Sequence, residues 1–418
     1  MLQLLMSRLL IIGYVWPESR SSAAGSRMME LIRRFRQQDW QITFASPAQL
    51  TDHMDDLAEL SVKTVNIALN CSSFDQFVAE LQPDTVLFDR FMMEEQFGWR
   101  VAQACPDALR LLESCDLHCL RNARHKALKQ NRELTEADLK SDMALREIAS
   151  IYRCDLTLMI SDYEMELLQQ TFGVPAQQLH HLPFMLDPAV VDQPLPEFEA
   201  RNHFVTIGNF RHEPNWDAVR YLKEQIWPLI RQQLPQAELH VYGAYPPPKA
   251  TQLHNPKQGF LVKGWAEDAH QVMKQARVCL APLRFGAGIK GKLADAMING
   301  TPNVTTSIGA EGMHGGLPWS GAIAEQPQPL ADAAVELYRS ETRWLESQQK
   351  GFDIIRHCFD QRTLGDRLVE RIERLRGELP QHRMANFTGM MLSHHHQRST
   401  QFMSQWIEVK TKLAELEV

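Results

Sequence analysis

Ala281-Pro-Leu-Arg-Phe-Gly-Ala-Gly-Ile-Lys-Gly-Lys-Leu-Ala-Asp-Ala-Met-Ile-Asn-Gly-Thr-Pro302 is the stretch from which this chain is best read. The apolar run 278–281 has strand length, and 292–299 reads as a helix closed by Gly300. At this junction three glycines accompany three cations, Arg284, Lys290 and Lys292. Gly286 and Gly288 let the backbone approach a ligand, the first helical N–H groups are unpaired donors, and the helix dipole adds positive potential. The junction therefore reads as an anion site. GxxxxGK[ST] is not satisfied. Gly286-x-Gly288-x-x-Gly291 spells the dinucleotide fingerprint, but late in its domain rather than in a first βα turn, so no dinucleotide is inferred. A glycine-rich surface loop with solvated lysines is the alternative; the concentration of cations and glycines at one strand-to-helix junction favours the anion.

Outward from this stretch, strand-length apolar runs alternate with amphipathic ones. The runs 204–207, 238–242, 260–263, 278–281 and 303–305 read as strands, and 215–234, 266–276, 292–299 and 331–340 as helices. The first half repeats the pattern: strands at 9–15, 41–45, 85–89, 110–112 and 156–161, helices at 28–36 and 163–171. Such alternation predicts parallel sheets covered on both faces. A proline-rich, aperiodic stretch at 188–201 reads as a linker between domains at 1–187 and 202–375. Residues 376–418 are expected to be an irregular stretch and a last helix, 402–416. That helix has apolar residues at Phe402, Met403, Trp406 and Ile407, a stripe expected to dock on the first domain.

The chain has 418 residues, 44% hydrophobic and 23% charged, as expected of globular domains. Lys and Arg number 44 against 51 Asp and Glu, a net charge of −7, which argues against nucleic acid as a main partner. Seven scattered cysteines without a CxxC pair suggest neither a disulfide scaffold nor a zinc ribbon, and a reducing, cytoplasmic compartment is expected. Arg8 splits the apolar N-terminus, leaving a run better read as a buried strand than as a signal or a membrane span. Peripheral membrane contact is the most that is expected.

Several segments together resemble one family. They are Gly208-Asn-Phe-Arg-His-Glu-Pro-Asn-Trp-Asp217-Ala218, Ile226-Trp227-Pro228, Val241-Tyr242-Gly243, Gly264-Trp265, and Lys290-x-Lys292-x-x-Asp295-Ala-Met-x-x-Gly300-x-Pro302-x-Val304. They are similar to the C-terminal domain of GT-B glycosyltransferases, within the glycosyltransferase family 4 (group 1) superfamily. The resemblance implies an α/β fold of GT-B architecture: two doubly wound Rossmann-like domains facing a cleft, and a last helix crossing back to the first. It implies that Lys292 lies on the diphosphate of a nucleotide sugar and Asp295 at the ribose, with Gly25, Arg211, Arg284, Gly288, Ile289 and Lys290 completing the donor site. The sequence departs from the family at Ala287, where the first Glu of a Glu-x7-Glu signature would stand. The family's Arg and Lys after the first strand of this domain fall near Asn209 and Pro214, with Arg211 and His212 close by.

In the first domain, Ser21-Ser-Ala-Ala-Gly25-Ser26-Arg27 offers small residues between a strand and a helix, with Ser26 a candidate cap. Asp89-Arg90 ends a strand, as a cleft group or a local ion pair. Asp116, His118 and Arg121 follow another strand and are the candidate catalytic residues, able to orient the sugar or the leaving phosphate. Cys115, Cys119, His118 and His125 match no standard zinc spacing. Ser161 or Asp162 is expected to cap a helix whose positive end Glu164 favours, and His394-His395-His396 reads as a polar loop.

The expected activity is transfer of a sugar, hexosyltransferase-like, from a nucleotide-diphosphate sugar to a glycan or glycoconjugate, as in polysaccharide biosynthesis. Retention of configuration is implied by the resemblance. Neither a metal nor a cofactor beyond the sugar nucleotide is expected. Ala287 motivates the alternative of a non-catalytic nucleotide-sugar or glycan-binding protein, and a two-domain epimerase is a third possibility.

Overall fold

The computed structural model describes residues 7–416, and their side chains apart from 395–398, 415 and 416. Seven parallel strands form the first sheet: β1 (Arg8–Ile12), β2 (Gln41–Ser46), β3 (Lys63–Asn66), β4 (Thr85–Asp89), β5 (Leu109–Glu113), β6 (Leu156–Met159) and β7 (Leu179–His181), in the order β3-β2-β1-β4-β5-β6-β7. Both faces are covered, so its central strands are apolar throughout rather than alternating. Leu10, Ile12, Val86 and Phe88 pack on one side. Leu9, Ile11, Phe44 and Leu87 pack on the other. The second sheet holds β8 (Phe204–Ile207), β9 (Leu239–Tyr242), β10 (Phe260–Gly264), β11 (Val278–Ala281), β12 (Asn303–Thr305) and β13 (Gly321–Ile323), in the order β10-β9-β8-β11-β12-β13.

Each sheet reverses its winding direction once, at β1/β4 in the first and at β8/β11 in the second. Ligands in open α/β sheets bind beyond the carboxyl ends of the strands at such points. The loops after β1, β4, β8 and β11 all reach one interdomain cavity of about 460 Å³.

Two covalent crossings join the domains side by side. Leu186 N–H donates to Phe359 O at 2.8 Å, and Gln361 N–H donates back to Leu186 O at 2.9 Å. The return therefore comes earlier than a boundary at 375. The helix Gln361–Gly377 buries Leu368, Ile372 and Leu375 in the core of the first domain, beside Leu9, Ile11 and Phe35. Arg376 bonds Ser7 Oγ at 2.8 Å and Thr85 Oγ1 at 2.7 Å, and Arg34 pairs with Asp366 at 2.6 Å.

The expected irregular stretch after 375 is helical, as Leu379–Ala385 and Phe387–Leu416, and carries the His394–396 run on a helix rather than a loop. The side chains of His395 and His396 lie outside the described residues. The last helix does lie against the first domain, but with the opposite face from that expected: Ser404 is 3% exposed and accepts from Arg100 Nη2 at 3.0 Å, while Phe402 is 65% and Trp406 59% exposed. Glu408 accepts from Ser72 Oγ at 2.6 Å on the same polar docking face. The expected helix 215–234 is divided into Glu213–Tyr221 and Trp227–Gln233 by a wide π-turn at Leu222–Ile226. Pro228 lacks an N–H and would clash with the carbonyl four residues earlier, and the wider turn makes room for its ring. Ser22 rather than Ser26 caps the helix Ala23–Arg36, accepting from Gly25 N–H at 3.1 Å.

Candidate active site

The second domain supplies the cationic wall of the cavity. Lys292 sits in the first turn of the helix Gly291–Ile298, and its Nζ donates to Asn215 Oδ1 at 2.7 Å. Asn215 is fixed in turn by donating to Asn209 O at 3.0 Å, so the loop after β8 carries the lysine after β11. Lys290 Nζ donates to Ala287 O at 3.2 Å and also bonds Gly288 O. Neither ammonium is held by a carboxylate, and burial pushes both lysines down to about 8. One turn beyond Lys292, burial pushes the Asp295 carboxyl up to about 6, against the pull of His270 and Lys292. Arg211, Ile289 and Ala287 also line the cavity.

The first domain supplies a wall whose charges are paired. Arg27 is buried against Glu113, with Nε–Oε1 at 2.7 Å and Nη2–Oε2 at 3.0 Å, and it also donates to Pro183 O at 3.0 Å. Asp116 is joined to Arg121; burial opposes its ionisation, yet the Arg121 guanidinium, ahead of His118 and His212, holds the carboxyl well below the usual range. His118 opens the helix His118–Lys129 and faces the cavity, with Nδ1 3.3 Å from Glu147 Oε1 and 3.9 Å from Asp116 Oδ1. Glu147 also accepts the His118 and Cys119 N–H groups, at 2.9 and 2.8 Å, capping that helix from a neighbouring one. Asp89 and Arg90 form the local pair, 3.7 Å apart, with Arg90 also on the cavity wall.

Of the residues singled out by sequence, Asp116, His118, Arg121, Arg211, Ile289, Lys290, Lys292 and Asp295 come together on the cavity. Arg284, Gly25 and Gly288 do not. Arg284 turns outward to Asp217, at 2.8 and 2.5 Å, and over the Tyr221 ring at 4.6 Å, because an acceptor one helix away satisfies it. Gly25 serves packing, since a Cβ there would lie 2.4 Å from Glu18 O. Gly288 faces the other domain rather than the cavity, and a Cβ there would lie 2.9 Å from Asp116 Cβ. Among the described residues no group of three His, Cys, Asp or Glu is placed to hold a metal.

Sequence reading missed Glu30 and gave Asn215 and Trp265, quoted only for the resemblance, no place in the site, yet all three line the cavity. Glu30 accepts from Met185 N–H at 2.8 Å, and burial pushes its carboxyl up to about 7. It is one more carboxylate on an amphipathic helix, and no local pattern marks it. At the cleft mouth the domains touch: Tyr245 OH lies 3.1 Å from both Glu18 carboxylate oxygens, and His53 stacks on Trp265 with centroids 4.8 Å apart.

With this geometry in place, the comparisons with known proteins are specific to the same domain and fold. Residues 201–340 match the family described as Glycosyl transferases group 1. The sucrose-phosphate synthase of Thermosynechococcus elongatus is similar in structure, with a TM-score of 0.65 at 14% identity, over 88% of this chain and 99% of that one. HepE of Anabaena, solved in complex with UDP and glucose, gives 0.65 at 13% identity, over 88% and 100%. WaaG, a glycosyltransferase involved in lipopolysaccharide biosynthesis, gives 0.59 at 10% identity, over 86% and 98%. No curated protein matches the chain in sequence. The second domain is a group 1 glycosyltransferase domain, and the two facing sheets have the GT-B architecture. The family match covers residues 201–340 and the structural likeness covers the whole fold. Among the described residues no helix is long and apolar enough to cross a membrane.

Proposed function

We propose that the protein moves a hexose from a nucleoside-diphosphate sugar to a glycan or glycoconjugate acceptor, with retention of configuration and without a metal. The observation that carries this reading is the pair Lys290 and Lys292. Their ammonium groups stand on one cavity wall at the start of a helix, held by neutral oxygens and drawn toward losing their protons by burial. A diphosphate is the complement of that wall. As the glycosidic bond breaks, negative charge grows on the leaving phosphate, and preoriented cations with the helix N-terminus stabilise it without reorganising. Asp295, one turn on, suits the ribose hydroxyls, since a carboxylate accepts from two vicinal donors. His118, with Asp116 and Arg121, faces the same cavity from the other domain and suits the transferred sugar or the acceptor. The seven free cysteines favour a cytoplasmic site of action.

A binding-only protein is the second reading, favoured by Ala287 on the cavity wall where the family's carboxylate would stand. Thermal unfolding with UDP, GDP and their sugars separates the readings when joined to a chelator-treated assay for donor turnover. A ligand at about 100 times its Kd adds about 2.7 kcal/mol to stability. Stabilisation with turnover that survives chelation supports the transferase; stabilisation without turnover, with or without acceptor sugars, supports the binding protein. No stabilisation by any nucleotide rejects the donor site itself.

A further inference from the structure

One buried carboxylate is shared by two loops that belong to different domains. Glu164, in the first turn of the helix Asp162–Phe172, is fully buried. Its Oε1 accepts the N–H of Leu117 at 3.1 Å and that of Gly288 at 2.7 Å. Leu117 immediately precedes His118, and Gly288 lies in the loop that leads to Lys290. A carboxylate that merely capped its own helix would bond N–H groups of that helix, whereas both bonds of Glu164 Oε1 leave it. The loops meet this closely because Gly288 has a φ of +64° and no side chain; a Cβ would stand 2.9 Å from Asp116 Cβ and 3.1 Å from Cys115 O.

A second side chain of the first domain grips the same loop. Arg124 donates to Gly286 O at 2.8 Å while pairing with both oxygens of Glu311, at 2.8 and 2.7 Å. The backbone of the lysine-bearing loop is thus held at Gly286 and at Gly288 from across the cleft.

We propose that Glu164 is a positioning residue that holds the 286–290 loop and the His118 loop in register, so that occupation of one is felt by the other. The consequence for catalysis rests on the donor-site reading above; the mechanical part does not. Burial pushes the Glu164 carboxyl up to about 8, with Asp116 acting in the same direction, and Oε2 has no hydrogen-bond partner among the described residues. The uncharged amide of glutamine can therefore take its place, with its carbonyl oxygen accepting both N–H groups.

Amide hydrogen exchange on the full chain tests this, first without ligand and then with UDP or GDP. Glu164→Ala is expected to speed exchange about tenfold or more in the segments 115–119 and 286–290 together, with β1 and β8 unchanged, and Glu164→Gln to restore the slow rates. A nucleotide that protects both segments in the native protein is expected to protect only 286–290 in Glu164→Ala. Gly288→Ala forces the loops apart from the other side and should reproduce the alanine result if Glu164→Ala does not fold. Loosening of one segment alone, faster exchange spread over the whole first domain, or a glutamine variant that behaves as alanine would each overturn the assignment. If neither nucleotide protects the native protein, the donor reading fails, while the unliganded rates still decide the role of Glu164.

Discussion

The two walls of the cleft hold their charges in opposite ways. On the first-domain wall, Arg27 is forked onto Glu113, Arg121 bonds Asp116 through one nitrogen, and His118 leans on Glu147, so the ionic groups of this wall find partners inside the protein. On the second-domain wall, Lys290 and Lys292 rest on carbonyl and amide oxygens, with no carboxylate bonded to either ammonium. Paired charges are architecture: they set the shape of the loops after β1 and β5. On the function proposed above, the unpaired cations at a helix start await a diphosphate, and the fold bears a cost for keeping them in partly dehydrated surroundings.

The sharpest way to break the comparison is at Arg27. Replacement by methionine leaves Glu113 buried without its counter-charge, and stability should fall by about 3–5 kcal/mol in denaturant unfolding. An unchanged midpoint would mean that this wall is not held by its ion pairs. Lys292→Met should behave in the contrary sense. Donor kcat/KM should drop by about 2–4 kcal/mol, while the unliganded variant at pH 7 unfolds no earlier than the native protein. The sign follows from protons: with the lysine at about 8 folded and 10.5 as its ordinary value, the unfolded chain binds more protons between those values. Stability therefore rises with pH across that window and carries the full penalty below it. A variant that loses stability and activity together would make Lys292 structural.

Asp295→Asn is expected to weaken nucleotide binding by about 1–3 kcal/mol; equal affinity of the native protein for ribose and 2′,3′-dideoxyribose nucleotides would refute the ribose contact. The smallest effect is in the pH profile of nucleotide affinity. Asp295 is ionised above about 6, and the two lysines are charged below about 8, so affinity should be level between these values. It should decline on both sides, by at most about tenfold per pH unit for each group. Calorimetry in buffers of different ionisation heat should show proton uptake at pH 8–9. A flat profile to pH 10 would mean that the lysines do not meet the ligand.

How much of this could be read from the sequence depends on the distance over which each feature is determined. The strands β4, β8, β11 and β12 lie where their apolar runs put them, because a strand buried on both faces has few alternatives. Lys290, Lys292 and Asp295 were legible because one strand, one loop and one helix turn place all three. Arg284 had the same local credentials but turns away, since Asp217 on another helix offers it a fork that no spacing rule contains. From the sequence Glu164 is a favourable charge in a first helical turn, and its partners, 47 and 124 residues away, have no local signature. The last helix misled for a different reason. Its apolar periodicity is real, but the inference that the apolar face turns inward fails where Ser404 and Glu408 make the docking bonds.

The return of the chain into the first domain also has a consequence for how the protein is made. Leu9 and Ile11 emerge from the ribosome well before Leu368, Ile372, Leu375 and Leu379, whose side chains cover their face of the sheet. The second domain lies between, and its own strands, β8 to β13, span only residues 204–323. Of the two domains, the one translated first is therefore completed last, and while the second is being made the first exposes an uncovered hydrophobic face. Domains usually fold as units in the order in which they are made. Here the order is inverted, and translation arrested just before residue 360 would release a finished second domain attached to an open first one, a substrate for chaperones.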